Sequence, residues 1–247
     1  RALRVPALTG MLVLALTAAM AATAPAPQGD RLAVGTSCYA ITATKDGATQ
    51  TVGHTFQSIE RTMHDGKPAL KVVVHQRMGA KFDMRDTYLL DAANLQPIEI
   101  DNERFGKRHV RDVYDDHGVT ETRWDAAGQA TTTKKPLAHP VWEGNLFGVM
   151  FAALPLEQGA SYAVPFYQYD KDEGTFAIDV TGKRTIDTPE GKREAIVLQA
   201  GPSKAEQIEY LIGASPRMEL AYNGPQGFGQ SLAPDCTGFE AAAPKAP

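Results

Sequence analysis

The chain has 247 residues, 43% of them hydrophobic and 22% charged, with a formal net charge of −4. That length suits one large β domain or two small ones. A mildly acidic chain without a basic stripe argues against nucleic acid as a partner and against electrostatic docking on anionic lipid.

The first element reads as an export signal. Arg1 and Arg4 precede an apolar run from Leu12 to Met20, and small residues follow. This layout predicts a secretory signal peptide over residues 1–24. Both "AMA" (19–21) and "ATA" (22–24) offer cleavage sites, with the cut after Ala24 preferred. The apolar run is shorter than the roughly 20 residues of a membrane span, so no stable span is expected after cleavage. The expected location is periplasmic. Loss of Arg1 and Arg4 leaves 23 basic against 29 acidic residues, a net charge of −6.

Residues 25–35 read as a linker, 36–236 as a single domain, and 237–247 as a disordered Ala/Pro-rich tail. The two cysteines, Cys38 and Cys236, lie at either end of that domain. In an exported protein they can form a disulfide; two separate thiols are the alternative.

Between the cysteines the pattern is mostly that of strands. "TFQSIERTM" (55–63) puts Phe56 and Ile59 on opposite parities, which suggests a bulge that turns both inward. "ALKVVVHQR" (69–77) aligns Leu70, Val72 and Val74. "GTFAIDV" (174–180) aligns Phe176, Ile178 and Val180, and "EQIEYLI" (206–212) aligns Ile208, Tyr210 and Ile212. "PRMELAY" (216–222) sets Met218, Leu220 and Tyr222 against Arg217 and Glu219. Period-2 alternation is the mark of antiparallel strands with one covered face. "KDG" (45–47), "HDG" (64–66), "DDHG" (115–118), "DAAG" (125–128) and "TPEG" (188–191) supply the turns of a meander. Residues 101–135 are polar on both faces and read as strands that project beyond the core or lie at a sheet edge.

One segment breaks the alternation. "EGNLFGVMFAALP" (143–155) has no polar side chain from Leu146 to Leu154. At helical spacing, Leu146, Met150 and Leu154 lie on adjoining turns, and Phe147 and Phe151 share the next stripe. A helix apolar nearly all round is normally buried, and this one is too short to cross a bilayer. The predicted fold is mainly β: an antiparallel meander forming a curved sheet or open half-barrel wrapped around one apolar α-helix near residues 142–154.

That arrangement resembles the LolA/LolB-like half-barrel proteins of the bacterial envelope. "LPLEQGASYAVPFYQYD" (154–170), "VTGKRTIDTPEGKREAIVLQ" (180–199) and "YLIGASPRMELAY" (210–222) are also similar to a family of periplasmic proteins of unknown function. In that family a helix leads into an L-P-L-x-x-G turn, and a V-x-G-x-x-x-I-x-T-P-x-G hairpin follows. Its last strand often carries Ser-Pro-Asp; here Ser215 and Pro216 match, and Arg217 replaces the acidic residue. The resemblance covers roughly residues 36–222. It implies a fold and no catalytic residues.

Motifs of chemistry are missing. His54, His64, His75, His109, His117 and His139 form no H-x-H or H-E-x-x-H pair, so no metal site is expected. There is no nucleophile elbow, phosphate loop or C-x-x-C, so neither a cofactor nor catalysis is expected. The candidate site is aromatic: Trp142, Phe147, Met150, Phe151, Phe166 and Tyr167 could line an apolar cavity between sheet and helix. The resulting expectation is a non-catalytic exported protein that binds or carries an apolar envelope component, such as a lipid or acylated partner. The alternatives are an envelope protein-interaction or structural module without a small-molecule ligand, and a hydrolase with a site its motifs do not reveal.

Overall fold

The computed structural model describes residues 25–241. The expected signal peptide and the last six residues lie outside them. Eight strands come first: β1 (Gly35–Lys45), β2 (Ala48–His64), β3 (Lys67–Met78), β4 (Phe82–Asp91), β5 (Pro97–Arg104), β6 (Lys107–Asp115), β7 (Gly118–Trp124) and β8 (Ala130–Pro136). A two-residue strand, β9 (Trp142–Glu143), precedes helix α1 (Phe147–Ala153). Then come β10 (Ser161–Gln168), β11 (Asp172–Thr188), β12 (Gly191–Gly201), β13 (Ile208–Gly213), β14 (Glu219–Asn223) and β15 (Gly229–Leu232), and finally helix α2 (Thr237–Ala241).

All fifteen strands form one open sheet, in the order β8-β7-β6-β5-β4-β3-β2-β1-β15-β14-β13-β12-β11-β10-β9. Each of β1 to β8 pairs antiparallel with the next, as do β10 to β15. The two meanders join through β1 and β15, with Ile41 opposite Gln230. All five anticipated turns fall at hairpins. At two of them the chemistry is plain: Asp46-Gly47 and Asp65-Gly66 both hold positive φ at consecutive positions, which an Asp-Gly pair tolerates.

The sheet is rolled so that its ends overlap without sharing a ladder. Strand β10 is apolar on both faces because both are covered. Phe166 packs with Phe147 and Phe176, while Tyr167 packs with Val119 and Val141 beside Tyr114 and Leu137. The polar middle strands are thereby explained. β8 is one of the sheet's two end strands, as an edge position predicts, but the inner faces of β6 and β7 are buried rather than projecting. The seam is closed by side chains. Tyr167 donates to Glu121 at 2.7 Å, Lys135 donates to the Tyr167 hydroxyl at 3.0 Å and to Asp172 at 2.7 Å, and Arg123 donates to the Tyr169 carbonyl.

Helix α1 is shorter than the predicted 142–154. Trp142 and Glu143 are taken into a parallel pairing with Phe166 and Tyr167, and the helix starts four residues later. Its Val149, Met150, Phe151, Ala152 and Ala153 are buried in the main core with Leu70, Val72, Ile178 and Ile212. Among the described residues there is a second helix, α2, where the tail was expected to be disordered from residue 237. Phe239 of α2 sits on the outer face against Phe56, at 5.7 Å between ring centroids, and His75, at 4.9 Å. This corrects the expected bulge. β2 and β3 pair without a register shift, so Ile59 points to the core and Phe56 outward beneath α2.

Two further expectations concern the ends of the domain. Cys38 and Cys236 form a disulfide, with 5.2 Å between Cα atoms. The expected linker at 25–35 is partly built into the fold: Gln28 donates its N–H to the Ala153 carbonyl at the end of α1, and Leu32 is buried in the core. No helix among the described residues is long and apolar enough to cross a membrane.

Candidate binding site

A cavity of about 210 Å³ opens beside the first turn of α1. Phe147 and Gly148 form one wall, Tyr210 and Tyr222 of β13 and β14 another, and Thr55 and Gln76 of β2 and β3 a third. Its apolar side is part of a larger aromatic cluster. Phe147 stacks on Phe176 at 4.0 Å and lies near Phe151 at 5.8 Å; Tyr210 meets Phe151 edge-on at 4.9 Å and Tyr222 at 5.8 Å.

The polar side is a directed chain. The Gln76 amide donates to the Thr55 hydroxyl at 3.4 Å, Thr55 donates to the Gln230 carbonyl at 2.8 Å, and the Gln230 amide donates to Glu219 Oε1 at 2.6 Å. Every donor points toward Glu219, so the chain is polarised to support a carboxylate at its end. Tyr39 fixes the strand beneath by donating to the Glu219 backbone carbonyl at 3.0 Å. The other carboxylate oxygen, Oε2, has no hydrogen-bond or ion-pair partner among the described residues. It lies against Gly148, where a Cβ would collide with it, so the helix needs glycine there for close approach rather than for φ. Burial pushes the Glu219 pKa up to about 7, against the lowering effect of the Gln230 hydrogen bond.

The cavity brings together only some of the anticipated site residues. Phe147 lines it, Phe151 stands directly behind Phe147, and Phe166 meets Phe147 edge-on at 5.4 Å. Met150 and Trp142 instead border a void of about 10 Å³ on the far side of α1. Trp142 is held there by an indole hydrogen bond to the Asn94 carbonyl at 2.9 Å. Tyr167 belongs to the seam, not to the cavity.

A family model described as "Protein of unknown function (DUF3108)" matches residues 38–222. The chain belongs to this family. Comparison with curated proteins and with solved structures gives no match. The DUF3108 match begins at Cys38 and ends at Tyr222, so it takes in Thr55, Gln76, Phe147, Glu219 and Tyr222. Gln230 and Cys236 lie beyond it.

Sequence reading of this DUF3108 chain missed Glu219 for a definite reason. Simple alternation puts Glu219 on the wet face with Arg217. In the fold, the β13–β14 register shifts so that Ile212 faces Glu219 while Leu211 faces Ala221, leaving Leu220 as the extra residue. The bulge turns Glu219 inward with Tyr222 and sends Leu220 and Ala221 into a separate cluster with Val197 and Leu211. The available signal was a glutamate inside an otherwise apolar run, "MELAY" (218–222).

Glu219 makes a pH prediction. Its folded pKa of about 7 exceeds the ordinary 4.5, so the folded state holds the proton more tightly than the unfolded chain does. The contribution is most favourable below pH 4.5 and is lost as pH rises through 7. E219Q keeps the Gln230 hydrogen bond and removes the charge. It is expected to be more stable than wild type at pH 8 by on the order of 2–3 kcal/mol, and nearly equal at pH 4.5. Urea unfolding at both pH values checks this, and an equal difference at the two would refute it.

Proposed function

We propose that this protein is an exported, non-catalytic binder of an amphipathic envelope component, a lipid or an acylated partner, received beside α1. The observation that carries the reading is the cavity's division into an aromatic wall and a polar chain ending on Glu219. A guest with an apolar tail and a polar group satisfies both sides; a purely apolar guest would leave the polar groups unpaired. The cavity is below the roughly 300–1,000 Å³ typical of sites that enclose a drug-sized ligand. It therefore takes one end of such a guest. On this proposal the rolled sheet is a variation on the LolA/LolB-like half-barrel, with its concave side largely occupied by α1 and its aromatic neighbours.

The test is native mass spectrometry of mature protein from a bacterial periplasm, alongside an organic-solvent extract of the same sample. A stoichiometric amphiphile in both is the expected result. A clean apo mass after incubation with envelope lipids would overturn the proposal and favour a protein partner.

A further inference from the structure

We infer that the cavity beside α1 receives an ammonium group, primary or quaternary, with Glu219 as its counter-ion and Phe147, Tyr210 and Tyr222 as its aromatic walls. This rests on the binding role proposed above and names the chemistry of the guest's polar end.

The argument starts from charge. Glu219 is 7% exposed and lines the cavity, yet it forms no ion pair among the described residues. No lysine, arginine or histidine lines the cavity. Above pH 7, where Glu219 gives up its proton, the buried charge has no partner, and a charge removed from water without one is costly. The donors reaching Glu219 come from the Gln230 side and engage Oε1 alone, leaving Oε2 as an unused acceptor. An anionic guest would be repelled here. A cation would complete the site.

The walls point the same way. Three aromatic rings line the space on the side facing the polar chain, and ring faces attract cations. A carboxylate set among aromatic side chains is the combination that selects an ammonium over a neutral hydroxyl: the rings favour positive charge, and the carboxylate needs it. Gly148 extends the case. Its missing side chain makes room for the carboxylate against α1, where a Cβ would collide with Oε2, so the helix start accommodates Glu219 at the cavity wall.

The experiment is isothermal titration of the full chain at pH 8 with four probes: tetramethylammonium, octyltrimethylammonium, octanol and octanoate. Octyltrimethylammonium is expected to bind saturably at one site. E219Q is expected to weaken it at least tenfold, and Y222L several-fold, with circular dichroism confirming that each variant is folded. Should E219Q fail to fold, Y222L carries the comparison. Octanoate is expected not to bind. Tetramethylammonium binding as tightly as the octyl probe supports the ammonium site and makes a free ammonium compound its source; tighter octyl binding makes the source a lipid headgroup. If octanol or octanoate binds as well as the cation and E219Q leaves the affinities unchanged, the ammonium inference is overturned while amphiphile binding stands. If none of the four binds, both are overturned.

Discussion

Phe151→Ala is expected to cost about 3–5 kcal/mol of unfolding free energy, the range for removing a large aromatic side chain from a packed core. Phe151 is fully buried and contacts the rings of Phe147, Phe176 and Tyr210. Its importance follows from the helix it belongs to. Seven residues are far too few for a helix to be stable alone in water, so tertiary packing must hold α1 in place. No side chain caps its N-terminus, which leaves more of the work to the buried face. The vacated space would adjoin the cavity behind Phe147, so under the proposed binding role stability and guest affinity should fall together. Urea denaturation at neutral pH measures the effect. A loss below about 1 kcal/mol would mean that the aromatic cluster does not anchor α1. Phe151→Leu, which retains most of the buried apolar volume, should cost clearly less.

Removing the disulfide should have an effect of similar size. Cys38 and Cys236 are 198 positions apart, and in the chain-entropy model a loop of this length contributes up to about 5 kcal/mol. There is also a local consequence. The bridge holds α2 close to the outer face, where Arg77 lies over the Phe239 ring at 4.3 Å and Phe56 is covered. The double variant Cys38→Ser, Cys236→Ser is expected to melt well below wild type and to expose the backbone of residues 237–241 in hydrogen exchange. Reductant should reproduce the shift in wild type and leave the double variant unchanged. An unchanged melting temperature in the double variant would place the stability elsewhere.

What could be read from the sequence was what is encoded locally. Asp-Gly turns set consecutive hairpins, and alternation correctly assigned the core residues of β3, β11 and β13. The apolar run at 146–154 betrayed a buried helix because it satisfied no strand pattern. Two features were hidden because they depend on how strands meet, one through pairing register and the other through packing of the sheet's ends. The extra residue at Leu220 reverses the facing of Glu219, and nothing in "MELAY" alone says which residue bulges. The overlap of the sheet's ends buries Asp112 on a strand that reads as solvated; burial and the nearby Glu121 raise its pKa to about 7. The same overlap takes Tyr167 from the expected cavity into the seam. In each case the local pattern was sound, and contact with another strand, adjacent for Glu219 and distant for Asp112 and Tyr167, decided the outcome.

The topology also bears on how the chain is made. The free ends of the sheet come from the middle of the chain, at β8 and β9, whereas the sheet's centre joins the first strand to the last. During synthesis β1 emerges early and gains β2 almost at once. Its other edge waits until β15 arrives, nearly the whole domain later. For that interval it is an unpaired strand edge, the kind of surface that templates aggregation. The N-terminal meander therefore spends its youth with an open flank, and its successful folding depends on the C-terminal strands arriving before another chain does.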